Sequence, residues 1–324
     1  LPFADHRPST TYYIPFMFVC LLLQGIIIAT ATTAVHATTT PARATNAPLL
    51  LPLTTPSDDQ WELTWTDDFN EPILNSTYWN IANNMTHGNQ ELQLYMKEQV
   101  SLRNGTLVLT TDRSEIMYGT KQYNFTSGWV DTQNKISQTF GKIEVRAILP
   151  NPDAYGIWPA HWLMPERNAW NCWPIGGEID IMEATGGEQN NTVYGTYHWG
   201  FNSTTIDTLN KSTGNTCTSG CGCDTRFGPN GKYEPLITPA HNFSKGYNIF
   251  SVEWNKDAIQ WYVNSVQYHE RQRNENGTNL PIPAEPFYII LNTAIDWWNK
   301  KSGTPENVYP VEHIIDYVKF YQLK

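Results

Sequence analysis

The chain has 324 residues, and its 21 Lys and Arg against 31 Asp and Glu give a net charge of −10. So acidic a chain lacks the basic face that phosphates need, which excludes nucleic acid as a partner. Aromatic residues make up 13%, too many for a disordered chain, and the mean hydropathy of −0.45 is too polar for a multi-span membrane protein. Many Trp beside uncharged hydrogen-bonding side chains suit either a neutral ligand with flat apolar faces, such as a sugar, or a Trp-rich core.

The N-terminal segment has the pattern of a secretory signal. An apolar run of 16 residues, 14–29, is shorter than the roughly 20 needed to span a bilayer, and Val35-His36-Ala37 fits a small-x-small cleavage site. We therefore predict a signal peptide at 1–37 and no stable membrane insertion after its cleavage, with an uncleaved anchor as the alternative. The Thr/Pro-rich residues 38–59 predict a flexible linker, which leaves 60–324 as one domain.

Sequons and cysteines are also typical of a secreted, extracellular protein. Asn-x-Ser/Thr sequons occur at Asn75, Asn84, Asn104, Asn124, Asn190, Asn202, Asn210, Asn242 and Asn276. The cysteines that follow the signal, an even number, suggest two disulfides with three alternative connectivities: Cys172, Cys217, Cys221 and Cys223. A pair separated by one residue would be strained, so we expect Cys172 to be bridged to the loop 217–223. Zinc is the alternative, although no CxxC pair or His spacing favours it.

The body of the chain predicts β-strands in which apolar and polar residues alternate, and no amphipathic helix longer than about three turns is visible. The predicted strands are 62–66, 106–110, 142–147, 249–254, 259–264, 288–292 and 317–321. Asn255-Lys256-Asp257 would link two of them as a hairpin. Many strands at short spacing indicate an all-β fold, a sandwich or jelly roll of two antiparallel sheets.

A further segment carries three acids. In residues 177–183, Gly-Glu-Ile-Asp-Ile-Met-Glu, a regular strand would place Glu178 and Asp180 on one face and Glu183 on the other. One extra residue at Ile181-Met182, a β-bulge, would return Glu183 to the first face. Glu178 and Glu183 would then lie roughly 13 Å apart between Cα atoms, and their carboxyl groups could approach to about 5 Å, as in a retaining glycosidase. The alternative is a solvated acidic face, but three acids on one face repel each other.

The same segment resembles the active-site signature of family 16 of the glycoside hydrolases, in the bulged form of laminarinase-type endo-β-1,3-glucanases. Further stretches resemble this family in the same order along nearly the whole domain: 62–69, 89–95, 126–129, 141–146, 156–163, 197–199 and 315–321. The resemblance implies a concanavalin A-like jelly roll and a glycoside hydrolase catalytic domain at 60–324.

The resemblance also implies a role for each acid. Glu178 would be the nucleophile and Glu183 the general acid and then base, while Asp180 would hydrogen-bond Glu178 and help keep Glu183 protonated. The expected substrate-binding residues carry a stacking ring or a hydrogen-bonding head: Trp158, Trp162, His198, Asn89 and Arg146. The alternatives are a core position for either Trp, a structural role for the His and an ion pair for the Arg. Weaker candidates are Trp173, Trp199, Trp297 and Trp298.

This chemistry requires no cofactor. Asp316 resembles a family position that sometimes binds a structural calcium ion, but one Asp does not establish a metal site. His161 departs from the family pattern, which usually has an apolar residue there, and the loops 165–175 and 207–232 are longer than usual.

These features predict a retaining endo-glycosidase that hydrolyses laminarin-type β-1,3-glucan by double displacement, a monomer whose partner is the polysaccharide. One alternative is a same-fold hydrolase or transglycosylase that acts on mixed-linkage glucan or galactan. Another is a non-catalytic glucan-binding protein. Such relatives usually lack the catalytic acids, and both are present here.

Overall fold

The computed structural model describes residues 60–151, 153–154, 156–166, 173, 176–184, 192–199, 236–237, 242–275, 278–296 and 308–324. The strands within these ranges are β1 (Trp61–Asp67), β2 (Asn80–Ile81), β3 (Leu94–Tyr95), β4 (Val100–Leu102), β5 (Leu107–Tyr118), β6 (Lys121–Ser127), β7 (Trp129–Asp131), β8 (Ser137–Gln138), β9 (Gly141–Ile148), β10 (Ile157–Pro165), β11 (Glu178–Glu183), β12 (Thr192–His198), β13 (Leu236–Ile237), β14 (Asn248–Trp254), β15 (Ala258–Val263), β16 (Val266–Gln272), β17 (Asn274–Glu275), β18 (Thr278–Asn279), β19 (Phe287–Ile295) and β20 (Val311–Leu323). A 3₁₀ turn at Lys97–Gln99 precedes β4.

The strands form two large sheets and one small hairpin, β17-β18. The ten-stranded sheet has the order β16-β15-β14-β9-β20-β5-β6-β3, with β1 also paired to β20 and β4 to β5. The eight-stranded sheet has the order β13-β12-β11-β10-β19-β7-β2, with β8 also paired to β19. Among the described pairings, only β3 with β6 is parallel. The predicted all-β fold of two antiparallel sheets is confirmed.

Alternating burial places a single core between the two sheets. In β9, Val145 is fully buried, whereas Glu144 and Arg146 on either side of it are partly exposed. In β11, Ile179 is fully buried against the same apolar cluster as Val145. Because side chains alternate along a strand, each sheet keeps an outer face for polar residues. All seven predicted strands are confirmed, and so is the hairpin at 255–257, which joins β14 to β15.

A pair of histidines crosses the core from one sheet to the other. His161 of β10 and His313 of β20 are both fully buried, with their rings stacked and their Nε2 atoms 2.9 Å apart. His313 Nδ1 lies 3.3 Å from Thr293 Oγ1, and Phe250 packs edge-on against His161. Burial lowers the pKa of His161 well below its ordinary value and that of His313 to about 3. The position that departs from the family pattern therefore holds a neutral polar contact inside the core.

Several predictions from the sequence fall outside the described residues. They are the signal at 1–37, the linker at 38–59, the four cysteines with their disulfides, and Trp297 and Trp298. Within the described ranges, no helix has the length and the apolar character needed to cross a bilayer.

Replacing His161 with Leu should make the protein more resistant to acid unfolding. Because the folded-state pKa of each buried histidine lies below the value of about 6.5 in an unfolded chain, the unfolded state takes up more protons as the pH falls. Stability is therefore lost between about pH 6.5 and pH 3, by about 2 kcal/mol per histidine at pH 5 relative to pH 7. Urea unfolding at pH 7 and pH 5 should show a smaller difference for His161→Leu than for the parent.

The exposed His87 provides the matched control, since it lies outside the core. His87→Gln should keep the acid-side loss that comes from the buried pair. Because Glu91 raises the pKa of His87, this histidine stabilises the fold at low pH, so the loss in His87→Gln should be at least as large as in the parent. An unchanged difference between pH 7 and pH 5 in His161→Leu would mean that protonation of this pair does not control acid unfolding.

Candidate active site

The outer face of the eight-stranded sheet carries all three acids of the predicted site. Residues directly opposite each other in antiparallel strands point to the same side. The register places Glu178 opposite His198, Asp180 opposite Thr196, and Glu183 opposite both Tyr194 of β12 and Ala160 of β10. The acids thus share one face with their neighbours on both sides, and the apolar residues between them face the core.

The predicted β-bulge is present. Along β12, Thr196 and Tyr194 are two residues apart, but their partners in β11, Asp180 and Glu183, are three apart. The pairing with β10 shifts in the same place, because His161 lies opposite Met182 while Trp162 lies opposite Asp180. One extra residue is therefore absorbed between Asp180 and Glu183, and this insertion turns Glu183 to the face of the other two acids.

The opposite sheet supports the bulge through an indole. A bulge interrupts the ladder of backbone hydrogen bonds, so buried carbonyl groups there need other donors. Trp261 of β15 is fully buried, and its Nε1 donates to the backbone carbonyl oxygen of Asp180 at 2.7 Å. Gly195 of β12 leaves the room that this contact needs, since a Cβ at this position would lie 2.4 Å from Trp261 Cδ1. The two sheets together therefore hold the backbone of the acidic strand.

Burial and mutual repulsion keep protons on the acids. Burial, with Asp180 as the next cause, raises the pKa of Glu178 to about 8, although His198 and the Trp173 indole act in the opposite direction. Burial and then Glu183 raise the pKa of Asp180 well above its ordinary value. Burial also raises the pKa of Glu183, against the effects of His198 and the Trp158 indole. Each ionised carboxylate in this poorly solvated place makes it harder for its neighbours to ionise, which is why the pKa values of all three are raised.

Two tryptophans and one histidine contact the acids directly. Trp158 Nε1 donates to Glu183 Oε1 at 2.9 Å, and Trp173 Nε1 donates to Glu178 Oε2. His198 Nε2 lies 3.1 Å from Asp180 Oδ2 and 4.0 Å from Glu178 Oε1. Each of the two Glu therefore has its own indole donor, and the imidazole lies beside the Asp. These contacts bring Trp158 and His198 to the acids, as the sequence predicted for the site.

Trp162 lies on the same face but in a different environment. Only 9% of it is exposed, because it packs edge-on against Trp129 and is also covered by the His87 ring. Its Nε1 donates to Asn292 Oδ1 at 2.8 Å, and Asn292 in turn donates to the Tyr95 hydroxyl at 2.9 Å. The core alternative for Trp162 therefore describes its position better than an open stacking platform.

The stretch 87–95 lies beside this aromatic cluster. Glu91, which is 8% exposed, accepts hydrogen bonds from Gln93 at 2.6 Å and from the Tyr95 hydroxyl at 3.1 Å, and its Oε1 lies 2.9 Å from His87 Nδ1. Partial burial lowers the pKa of His87, but Glu91 and then Glu178 outweigh this effect and raise it above its ordinary value. Asn89 is partly buried, with φ at 59° and no hydrogen-bond partner for its Oδ1 among the described residues.

The structure does not bring Arg146, a predicted substrate-binding residue, to the acids. Arg146 lies on the outer face of the ten-stranded sheet, on the far side of the core from the acids. There it forms an ion pair with Asp316 and lies over the ring of Tyr247, 4.2 Å from its centroid. Sequence order could not reveal this, because strands of both sheets alternate along the chain. The partner of the guanidinium, Asp316, is the residue that resembles the family position for calcium.

Reasoning from the sequence gave too little weight to three residues that the fold brings to the site. Trp173 was a weak candidate, and neither His87 nor Trp261 was a candidate at all. Trp173 lies outside the strands, so no alternation of apolar and polar residues marks it. Trp261 lies in β15, and its sequence pattern is that of any core residue of a strand. His87 lies two residues before Asn89, where a stretch that resembles the family begins. This closeness to the stretch was the signal in the sequence that could have identified it.

Comparison with known proteins gives consistent findings. A sequence model described as glycosyl hydrolases family 16 matches residues 77–318. Glucan endo-1,3-beta-glucosidase A1 of Niallia circulans is 30% identical over 292 residues, which cover 83% of this chain and 39% of that protein. Keratan-sulfate endo-1,4-beta-galactosidase of Sphingobacterium multivorum is 31% identical over 280 residues, which cover 85% of this chain and 58% of that protein. The chain thus spans about two fifths and three fifths of the lengths of these relatives.

Among solved structures, the laminarinase catalytic domain of Thermotoga maritima superposes with a TM-score of 0.66 at 29% identity. The match covers 82% of this chain and 99% of that domain. This likeness confirms the predicted jelly-roll fold.

Replacing Trp261 with Phe should weaken both the fold and the activity of the site. The variant leaves the buried Asp180 carbonyl without its donor, which typically costs about 1–3 kcal/mol of unfolding free energy. The bulge should then relax, so we expect the hydrolytic rate to fall by about tenfold or more, since small displacements of catalytic groups have large effects. Urea unfolding and initial rates on the same preparation measure both quantities.

Trp254 offers a matched control. It is equally buried, and its Nε1 donates to the backbone carbonyl of Pro283 at 3.0 Å, away from the acids. Trp254→Phe should lose comparable stability but keep its hydrolytic rate at temperatures where it is folded. Equal loss of rate in the two variants would show that Trp261 acts only through global stability.

Proposed function

Because the chain belongs to family 16 of the glycosyl hydrolases, we propose that it is a retaining endo-glycosidase that hydrolyses internal bonds of β-1,3-glucan by double displacement. The observation that carries this proposal is the bulge in β11, which places Glu183 on the same face as Glu178. A retaining enzyme needs its two carboxyl groups on one site at close range, with no water between the nucleophile and the sugar.

The proposed roles follow from the contacts of each acid. Glu178 attacks the anomeric carbon while Glu183 protonates the leaving oxygen, and Glu183 then removes a proton from the water that releases the product. The Trp173 indole favours the ionised form of Glu178, which is the nucleophilic form. Asp180 lies between the two Glu along β11, and His198 lies beside Asp180 and Glu178. Asp180 and His198 adjust which carboxyl group holds the proton. The reaction needs no cofactor.

The choice of β-1,3-glucan is supported by the bulged signature and by the glucanase relatives. Both Niallia circulans and Thermotoga maritima supply relatives named for activity on 1,3-linked glucan or laminarin. The Sphingobacterium multivorum relative, named as an endo-1,4-beta-galactosidase of keratan sulfate, keeps a β-galactan substrate as a second candidate. We propose the glucan as the substrate, and cleavage rates on a panel of polysaccharides test this choice.

We also propose that the protein is secreted and glycosylated as a monomer. Three sequon residues, Asn84, Asn104 and Asn124, are exposed, which makes them open to modification. The signal at 1–37 and a bridge from Cys172 belong to the same proposal. Peptide mapping without reduction tests the bridge, sequencing of the mature N-terminus tests the signal, and size-exclusion chromatography tests the monomer.

Fresh digests of laminarin should release the β-anomer first. Double displacement inverts the anomeric carbon twice, so the configuration of the substrate is kept until mutarotation mixes the anomers. Proton NMR of the first minutes of digestion measures this. Initial α-anomer would overturn the retaining mechanism, whereas β-anomer with faster cleavage of lichenan, agarose or keratan sulfate than of laminarin would overturn only the substrate.

Variants of the two acids separate their roles. Glu178→Gln should lose activity by orders of magnitude on every substrate, because the nucleophile is gone. Glu183→Gln should still cleave an aryl glycoside with a good leaving group, and azide should restore its turnover with a β-azide product. Near-parental activity of Glu178→Gln would exclude this residue as the nucleophile.

Replacing Trp173 with Phe should move the acid side of the pH–rate profile to higher pH. Trp173 donates to the Glu178 carboxylate and so lowers its pKa, and without this donor the pKa of Glu178 rises further above its ordinary value. A nucleophile must be ionised, so activity should be lost at a higher pH than in the parent as the solution is acidified. Profiles of kcat/KM over pH measure the shift.

Trp79 gives the control for this experiment, because its Nε1 donates to the carboxylate of Asp67, which lies outside the eight-stranded sheet, at 2.8 Å. Trp79→Phe should leave the profile in place. A Trp173→Phe profile that moves to lower pH, or does not move, would contradict the assignment of Glu178 as the group that must be ionised.

A further inference from the structure

We propose that Glu178, Asp180 and His198 form a binding site for one divalent transition-metal ion, for which Zn²⁺ is the probe, and that this ion inhibits the enzyme. The metal site itself is independent of the proposed function. Only the inhibitory consequence depends on the assignment of Glu178 as the nucleophile.

The geometry of the three side chains supports metal binding. One ligand atom from each lies within 4.8 Å of the other two, and His198 Nε2 is 3.1 Å from Asp180 Oδ2 and 4.0 Å from Glu178 Oε1. Ligands bound tetrahedrally to zinc at about 2.0–2.2 Å are separated by roughly 3.3–3.6 Å. Side-chain rotations that move these atoms by about 1 Å therefore bring them into a coordination shell.

A second, independent observation is the buried hydroxyl of Thr196. Thr196 is 2% exposed and lies directly opposite Asp180 on the same face of the sheet. Its Oγ1 makes no hydrogen bond within the described part of the chain, and Asp180 Oδ2, also buried, makes none of good geometry. Buried polar atoms are rarely left in this state, so the pair indicates a place for an ion or for water held by it.

The charge and the donor types select the kind of ion. Glu178 and Asp180 lie on one face of the sheet, and the bulge brings Glu183 to the same face, so a divalent cation bound here would compensate the charge of carboxylates gathered in one place. An imidazole nitrogen with two carboxylate oxygens suits zinc or copper. Calcium prefers six to eight oxygen ligands, and magnesium an octahedral set with several waters, so both should bind more weakly.

Binding at this position would stop the proposed reaction. A metal ion that coordinates Glu178 withdraws the electron pair with which this carboxylate attacks the sugar. Glu183 is not among the three ligands, so its contact with Trp158 is expected to persist. The ion thus blocks the nucleophile, and its removal should restore the full rate.

The experiment is a calorimetric titration of the whole protein with ZnCl₂ in a buffer that does not bind zinc, after treatment with EDTA and its removal. We expect one saturable site per chain, and Co²⁺ in its place should give visible absorption bands of a low-coordinate site. His198→Gln and Asp180→Asn should each weaken zinc binding by about 10- to 100-fold, with circular dichroism showing that they remain folded.

His87→Gln is the matched control, because His87 also pairs with an acid, Glu91, but lies outside the three-ligand group. It should keep the zinc affinity of the parent. The proposal is overturned if zinc shows no saturable binding, or if His198→Gln binds zinc as tightly as the parent. Calorimetry needs no turnover, so zinc binding by a protein that does not cleave laminarin would refute the proposed function and leave the metal site standing.

Discussion

The hydrogen bond from Trp261 to the Asp180 carbonyl is the constraint on which the site depends. One extra residue in β11 puts all three acids on one face, but the same insertion breaks the backbone ladder that would otherwise hold the strand. The indole, which reaches across the core from the other sheet, supplies the missing donor, and Gly195 leaves the space for it. The arrangement of the acids is thus a property of both sheets, although every acid comes from one strand.

The electrostatics of the site follow from this arrangement. Acids that would be solvated on an ordinary strand are gathered on one poorly solvated face, where burial and repulsion raise their pKa values. Each of the two Glu accepts a hydrogen bond from a different Trp, and this bond lowers its pKa. A cluster whose pKa values are raised in this way is suited to passing one proton between acid and base.

The rest of the outer face serves a different purpose. Trp162, Trp129 and Tyr95 pack together beside the acids, and the buried Glu91 joins this group through hydrogen bonds to its neighbours. Asn292 links Trp162 to Tyr95 through two hydrogen bonds, and all three rings are buried, so none of them is open to a ligand. On the opposite sheet, Arg146 and Asp316 pair on a face that the acids never meet. Two sequence motifs of one family therefore serve separate surfaces of the fold.

The sequence by itself determined the β-class, the seven strands, the hairpin at 255–257 and the bulge, because alternation and the spacing of three acids are local properties of the chain. It also identified the residues at the acids, Trp158 and His198, since a resemblance in order along the chain preserves which strands lie side by side. Tertiary structure alone decided which sheet carries Arg146, that Trp162 is covered, and that His161 meets His313 across the core. Those facts depend on contacts between residues that are 33 to 170 positions apart along the chain. Alternation within a strand carries no information about the strand that packs opposite it.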